Sequence, residues 1–161
     1  MPSGHKTTFT YPEGQQLILG ERLFNAPREL VWSVLTDAKH YPNYWGPSYL
    51  KTVVEEMDVR PGGKWRITQT DPQGAIHKFQ GEYREVVRPE KIVQTFGYAD
   101  FTPSVETMTL EARGAQTLLK VSSVFASVED RNGMRDSGME GGASETYDRL
   151  DAILETLKQA A

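Results

Sequence analysis

The sequence predicts an α+β protein in which a curved, seven-stranded antiparallel sheet wraps around one long carboxy-terminal helix. Two observations predict this class. Six strand-like segments follow one another through residues 49–127, and a single apolar stripe then runs through residues 139–157. Strands joined by short turns pair antiparallel, and a helix that follows them packs across one face of their sheet.

One further strand and two short helices precede these segments. Residues 16–24, QLILGERLF, are rich in branched side chains and predict the first strand. Pro27 then begins a helix, since proline is tolerated at the first helical position. Asp37 is a candidate cap for a second short helix, but Pro42 interrupts that pattern. Residues 40–47, HYPNYWGP, are therefore predicted to form a bent turn covered by aromatic rings.

The six later segments have the composition of strands and are separated by the turn signals RPGG, DPQG, RPE and RGAQ. They are YLKTVVEEMDV, GKWRITQT, HKFQGEYREVV, KIVQTFGYA, VETMTLEAR and TLLKVSSVFAS. Apolar residues at every third or fourth position identify the final helix, and its other face carries charges that include Asp148 and Asp151. The stripe consists of Met139, Ala143, Tyr147, Leu150, Leu154 and Leu157.

The predicted sheet is wider than the helix that covers it. A helix is about 10 Å across, whereas seven strands spaced about 4.8 Å apart span far more. One helix therefore cannot fill the concave face, and either large side chains or a cavity must occupy the rest. This mismatch in width predicts a pocket between the sheet and the helix.

Length, charge and cysteine content narrow the class of protein. The 161 residues predict one domain, residues 1–161, of which residues 1–15 are poorly patterned. A net charge of -4 with scattered basic residues argues against a nucleic-acid partner, and the absence of cysteine excludes thiolate chemistry. The sequence has no secretory signal and no apolar run of about 20 residues, so we expect a cytoplasmic protein without a membrane partner.

Four stretches of sequence carry a family resemblance. They are ERLFNAPRELVWSVLTDAKHYPNYWGP, PGGKWRI, FQGEYREVVRPEKIVQTF and SVEDRNGMRDSGMEGG, in this order. Over residues 21–157 the chain resembles the bacterial homologues of the heat-shock-protein-90 ATPase activator, in the SRPBCC superfamily of START and birch-pollen-allergen-like proteins. The resemblance implies a helix-grip fold with a cavity between sheet and helix. Because the superfamily includes lipid carriers, hormone receptors, polyketide cyclases and co-chaperones, the fold alone does not choose a function.

Strand alternation and the apolar stripe of the last helix identify side chains that face the predicted cavity. Most such residues also serve as core. Trp45 is expected to pack inward, with Tyr41 or Tyr44 at the rim, so that the aromatic turn closes one end of the cavity. The candidates for ligand binding are Tyr44, Trp45, Trp65, Ile67, Phe79, Tyr83, Phe96, Tyr98, Met108, Met134, Met139 and Tyr147.

Glu106 is a candidate for proton transfer. It shares the strand parity of Met108 and Leu110, and a carboxylate on an apolar face has a raised pKa that suits a general acid or base. In the alternative interpretation, Glu106 lies at the start of its strand, after Pro103 and Ser104, and simply reaches water. The sequence favours this alternative.

Two histidines are also candidates to consider. His40 lies beside the aromatic turn and could line the mouth of the cavity as a second proton-transfer group. His77 follows the DPQGA turn and is expected to be exposed. No two histidines have the spacing of metal ligands, so we expect neither a metal nor a cofactor.

Residues 127–142, SVEDRNGMRDSGMEGG, allow three interpretations. Ser127 and the acids after it are typical of a helix start, whereas the later glycines weaken the beginning of the long helix. In the first interpretation, the glycines let the backbone pass close to a ligand or a strand. In the second, the segment is a mobile loop that gates the cavity, with Met134 and Met139 as lids. The third interpretation is a plain loop.

Three functions remain open. The first is non-catalytic binding of a small hydrophobic or aromatic molecule, as a carrier or sensor. The second is a polyketide cyclase-, aromatase- or hydrolase-like enzyme that uses the same cavity. The third is a co-chaperone-like protein that docks through an exposed ring on the aromatic turn. We rank them in this order, and the sequence leaves open whether the chain forms a homodimer.

Overall fold

The computed structural model of the protein describes residues 5–99 and 101–160. Its helices in these ranges are α1 (Arg28–Leu35), α2 (Val128–Arg135) and α3 (Met139–Ala160), with a 3₁₀ turn at Tyr41–Asn43, and none of them is long and apolar enough to cross a membrane. The α+β class and the two short helical elements after the first long strand are confirmed. The strands are β1 (Thr8–Thr10), β2 (Leu17–Phe24), β3 (Lys51–Met57), β4 (Lys64–Thr70), β5 (Ile76–Val87), β6 (Lys91–Tyr98), β7 (Ser104–Arg113) and β8 (Gln116–Val124).

Within the described residues, the strands form one antiparallel sheet in the order β1-β2-β8-β7-β6-β5-β4-β3. This sheet has eight strands, and the predicted number of seven is wrong. The additional strand, β1, lies in the segment that we treated as poorly patterned, and it pairs with the edge of β2, Thr8 opposite Glu21 and Thr10 opposite Leu19. A strand of three residues is too short to show a period of two, so the pattern could not reveal it.

Two irregularities in strand pairing bend the sheet. The register shifts between Val54 and Glu56 where β3 meets β4, and between Tyr83 and Glu85 where β5 meets β6. A bulge bends its strand and increases the local twist. The sheet curves around α3 in the helix-grip arrangement that the resemblance implied.

The core lies between the inner face of the sheet and the helices α1 and α3. Burial of each large apolar side chain stabilises the fold by roughly 1.5–3 kcal/mol. Leu150 and Leu154 are the α3 residues of this core, which places the predicted apolar stripe of the last helix against the sheet. The large apolar side chains with almost no exposed surface are Phe24, Val31, Val34, Leu119, Leu150 and Leu154.

A buried ion pair fastens α3 to β2. The Arg22 guanidinium is 2% exposed and donates from Nη1 to Asp148 Oδ1 at 2.6 Å and from Nη2 to Asp151 Oδ2 at 3.1 Å. Asp151 is completely buried, so its predicted place on the outward face of the helix is wrong. The helix periodicity could not show this, because the partner comes from a strand more than a hundred residues away.

The segment that follows β8 is a short helix. Ser127 Oγ accepts a hydrogen bond from the Asp130 backbone N–H at 3.0 Å, which confirms the predicted helix start. Gly138, with φ of +87°, separates α2 from α3, whereas Gly133 lies inside α2 and Gly141 and Gly142 lie inside α3. No atom lies within 4 Å of a Cβ built on Gly138, Gly141 or Gly142, so these glycines do not serve a close approach of the backbone to a strand.

Candidate functional site

The aromatic turn is held against α3 by three hydrogen bonds. The Gly46 N–H donates to Thr146 Oγ1 at 2.8 Å, and the Gly46 carbonyl accepts from Arg149 Nη1 at 2.6 Å. The Ser48 N–H donates to Glu145 Oε2 at 2.6 Å. Gly46 has φ of +80°, a conformation that glycine adopts without strain. The turn is thus a fixed wall of the space beneath α3.

Aromatic rings fill the part of this space that lies over β4, β5 and β6. The Trp45 ring contacts Phe79 edge-on at 4.9 Å between centroids, and Tyr41 in a stacked arrangement at 5.7 Å. Phe96 lies 5.8 Å from Phe79 and 5.7 Å from Trp65. We call Tyr41, Trp45, Trp65, Phe79 and Phe96 the ring cluster. The protein's own side chains therefore occupy part of the width that the sequence left unfilled.

Trp65 reaches its place because β5 has no side chain opposite it. Gly81 is the cross-strand partner of Trp65, and the indole Nε1 donates past it to the Thr95 carbonyl at 3.2 Å. A Cβ on Gly81 would overlap both the Thr95 carbonyl oxygen and the Trp65 indole nitrogen. This glycine is required by a close approach of the ring to the backbone.

The inner face of β6, β7 and β8 is lined differently. Strand pairing aligns Gln94, Glu106 and Ser123 in one row across these strands. Met108 and Val121 lie opposite each other in the adjacent row. All five side chains keep intermediate exposure although they face the interior. Together with Tyr147 of α3 they form what we call the inner groove.

Glu106 is the acidic side chain of this groove. Gln94 Nε2 donates to Glu106 Oε1 at 3.2 Å, and the Ser123 side chain also hydrogen-bonds the carboxyl group. Burial raises the pKa of Glu106 above its usual value, and the two hydrogen bonds oppose that shift without cancelling it. The Glu106 carboxyl group is thus partly desolvated by the surrounding protein, although the residue keeps intermediate exposure.

The tyrosines around the groove are also partly desolvated by the surrounding protein. Burial raises the pKa of Tyr41 and of Tyr147, and the charge of Glu106 adds to both shifts. Both rings nevertheless have intermediate exposure. The groove is therefore bounded by α3 and the aromatic turn above and by β6–β8 below, with one carboxyl group among apolar and phenolic surfaces.

A family model agrees with this architecture. The model described as "Activator of Hsp90 ATPase homolog 1-like protein", AHSA1, matches residues 25–155. The chain belongs to this family. The SRPBCC fold of AHSA1 proteins commonly binds hydrophobic ligands. No curated protein matches the chain.

Solved structures similar to this AHSA1 protein come from several bacteria. A crystal structure from Mycobacterium smegmatis is 23% identical, with a TM-score of 0.84 over 91% of this chain and 95% of that one. A crystal structure from Rhodobacter sphaeroides is 21% identical, with a TM-score of 0.87 over 94% and 99%. The AHSA1 protein from Silicibacter pomeroyi is 21% identical, with a TM-score of 0.71 over 87% and 98%. At these identities the likeness shows the fold.

The predicted ligand-binding residues of this AHSA1 chain divide into two groups by exposure. Tyr44, Trp65, Ile67 and Tyr83 are at most 4% exposed and belong to the core, so Tyr44 does not lie at the rim. Its hydroxyl donates to the Leu35 carbonyl at 3.4 Å. The candidates with intermediate exposure are Trp45, Phe79, Phe96, Tyr98, Met108, Met134, Met139 and Tyr147.

Met134, Met139 and His40 lie apart from both the inner groove and the ring cluster. The sulfur contacts described for Met134 and Met139 are with Ser137 and Tyr11. His40 lines an open hollow of about 300 Å³ beside Ile153 and its neighbours on the last turns of α3. The structure therefore does not bring His40 and Glu106 into one site. A second open hollow, of about 410 Å³, lies between residues 14–17 and the end of β8, and neither hollow includes the ring cluster.

His77 is the polar group that the sequence reasoning missed. Its side chain is 34% exposed and bonds on both sides, to Tyr98 Oη at 2.8 Å and to Asp71 Oδ2 at 3.1 Å. The expectation of an exposed His77 is therefore wrong. His77 has the same parity as Phe79 and Gly81 along β5, a pattern that predicts the inner face of the sheet. The expectation of exposure rested instead on its position next to the turn.

Proposed function

We propose that the inner groove binds a small apolar or aromatic molecule and that the protein is a carrier or sensor of that molecule. The observation that carries this proposal is the intermediate exposure of inward-facing Met108, Val121 and Tyr147, which pack against the core without being enclosed by it. Apolar surface that is accessible inside a protein is favourable surface for an apolar guest.

Glu106 defines the polar end of the proposed ligand. Burial raises the pKa of Glu106, and its carboxyl group accepts hydrogen bonds and, where protonated, donates one. Gln94 supplies a second donor and acceptor in the same row. An uncharged carbonyl or hydroxyl group satisfies these partners, whereas a carboxylate would face the partly dehydrated Glu106 carboxyl. The proposed ligand is therefore an apolar molecule that ends in a neutral polar group.

The two alternatives from the sequence lack comparable support. Glu106 bonds to an amide and a hydroxyl, which form a hydrogen-bonding site rather than an acid–base pair. On the aromatic turn, Tyr44 is buried and Trp45 packs within the ring cluster, so neither ring is free as a docking anchor. Ligand binding is therefore the one function that we propose.

Fluorescence titration with N-phenylnaphthylamine, an uncharged apolar dye, tests the proposal. The wild type should bind the dye saturably. Val121→Phe places a ring in the inner groove, so it should weaken binding by about tenfold or more. The matched control, Val53→Phe, adds the same ring at an exposed position of β3 and should leave the affinity unchanged. Equal affinities in all three proteins, or no saturable binding by the wild type, would contradict the proposal.

A further inference from the structure

The strand β3 forms one edge of the sheet, so one side of its backbone has no neighbouring strand. It pairs with β4 alone, at the end of the strand order opposite β1. Within the described residues, no backbone–backbone hydrogen bond outside the sheet ladder involves residues 51–57. A row of N–H and C=O groups therefore points away from β4, and such a row is a template for pairing with another strand.

Three side chains of β3 lie on the outer face of the sheet. Lys51, Val53 and Glu55 are exposed, and the two residues between them are half-buried. This alternation places the three on one face. Glu55 Oε2 lies 3.5 Å from Nη1 of Arg66, an exposed residue of β4, which agrees with that placement. Along the outer face of the edge strand, a cation, an apolar side chain and an anion follow one another.

This order is self-complementary about a two-fold axis through Val53. When two copies of β3 pair antiparallel with Val53 opposite Val53, Lys51 of each copy lies opposite Glu55 of the other. On the inner face, Thr52 of each copy lies opposite Val54 of the other. Opposite charges that face each other across an antiparallel pair are stabilising, and like charges are destabilising.

This register uses a cation that has no partner in its own chain. Within the described residues, no carboxylate of the same chain pairs with Lys51. The registers centred one residue earlier or later place no two charges opposite each other, because Lys51 then lies opposite Val53 or Met57. The charge pattern therefore selects one register, with two ion pairs around one apolar contact.

The fold also limits how far this pairing extends. The register of β3 against β4 shifts between Val54 and Glu56, and a bulge bends its strand and interrupts a ladder. A contact about a two-fold axis uses the same patch on both copies and closes at two chains. The opposite edge strand, β1, has only three residues. The expected assembly is thus a dimer rather than an extended sheet.

We propose that β3 is a homodimer interface, in which it pairs antiparallel with β3 of a second copy, with Val53 on the two-fold axis and Lys51 opposite Glu55 of the other copy. Because the paired segment is short, the interface is small and the dimer is weak. The inner groove lies over β6–β8, and the proposal is independent of what that groove binds.

A single cysteine at the proposed axis tests the register. The chain has no cysteine, so Val53→Cys introduces its one thiol. Opposed residues of an antiparallel pair have Cα atoms about 4.5–5.5 Å apart, a distance that a disulfide spans. In air-oxidised buffer, Val53→Cys should form a covalent dimer at least about tenfold faster than Ile76→Cys, a control that is 62% exposed on β5. Equal rates would overturn the proposal.

Sedimentation velocity over a range of protein concentrations measures the dimer itself. The wild type should self-associate reversibly. Lys51→Glu and Glu55→Lys each place two like-charge pairs across the interface, so each should weaken the dimer Kd by about tenfold or more. Lys78→Glu makes the same change of charge as Lys51→Glu at an exposed position of β5 and should keep the wild-type Kd.

An equimolar mixture of Lys51→Glu and Glu55→Lys separates specific pairing from a general effect of charge or folding. The mixed dimer restores both opposed ion pairs, so its Kd should lie within about threefold of the wild-type value. A damaged fold would not be rescued by mixing. A wild type that stays monomeric at every concentration, a wild-type Kd in Lys51→Glu, or a mixture that stays monomeric would each overturn the proposal.

Discussion

Glu106 lies where a carboxyl group is costly unless its oxygen atoms are bonded. Its parity with Met108 and Leu110 was readable from the sequence, and the structure places all three on the inner face of β7. The sequence favoured the interpretation that Glu106 reaches water. In the structure Glu106 keeps intermediate exposure, and the two side chains that bond it, Gln94 and Ser123, come from neighbouring strands whose register cannot be read from one strand.

The pH dependence of stability tests this environment. The folded carboxyl group of Glu106 holds its proton above the ordinary value of 4.5, so the folded state binds more protons than the unfolded state as pH rises past that value. The free energy of unfolding therefore falls as the pH rises above 4.5 towards the raised pKa of the folded Glu106 carboxyl group. Glu106→Gln mimics the protonated form, so urea unfolding at increasing pH should show a smaller fall in the variant than in the wild type.

Glu111→Gln removes an exposed carboxylate from the same strand and is the control. Its pH profile should follow the wild type. Identical profiles for the wild type and Glu106→Gln would show that Glu106 is fully hydrated in the folded protein.

A substitution at Gly81 tests the close approach of the Trp65 ring to β5. Gly81→Ala forces a methyl group against the Thr95 carbonyl and the Trp65 indole, so the free energy of unfolding should fall by about 1–3 kcal/mol. Gly133→Ala is the matched control, since no atom lies within 4 Å of its Cβ and the residue is inside α2. That substitution should stabilise by up to about 1 kcal/mol. Similar denaturation midpoints for both variants would contradict the close approach of Trp65 to β5.

Among the elements, α3 depends on Arg22 for its attachment to β2. Arg22→Met leaves Asp151 buried without the guanidinium, so the free energy of unfolding should fall by about 3–5 kcal/mol. Arg113→Met disrupts the exposed pair with Glu111 and should cost about 1 kcal/mol or less. Thermal and urea unfolding of the two variants measure the difference. Equal losses would show that the Arg22 pair contributes no more than a surface pair.

The elements differ in how well the sequence predicted them. The long apolar stripe of α3 and the alternating strands were predicted because each spans many periods. The strand β1 is too short for a period, and glycines before and within the following helix obscure the helical pattern of the segment that contains α2. Asp151 was misplaced because the helix pattern contains no information about Arg22.

At the scale of the whole molecule, two different arrangements cover the part of the broad sheet that one helix leaves uncovered. Over β4–β6 the ring cluster occupies the excess width, as the contacts of Trp45 and Phe79 show. Over β6–β8 the side chains are smaller, and Met108 and Val121 keep accessible surface. The sequence predicted that one helix leaves part of the sheet uncovered. It could not show which part the protein's own rings fill, because that depends on which rings on different strands contact each other.

Intermolecular NOEs between bound N-phenylnaphthylamine and the protein methyl groups test the central claim most directly. If the guest lies in the inner groove, its aromatic protons should show NOEs to the Met108 methyl and the Val121 methyls. The exposed methyls of Val53 and Ile76 should show none. NOEs to Val53 or Ile76, with none to Met108 and Val121, would place the guest on the outer surface and contradict the account.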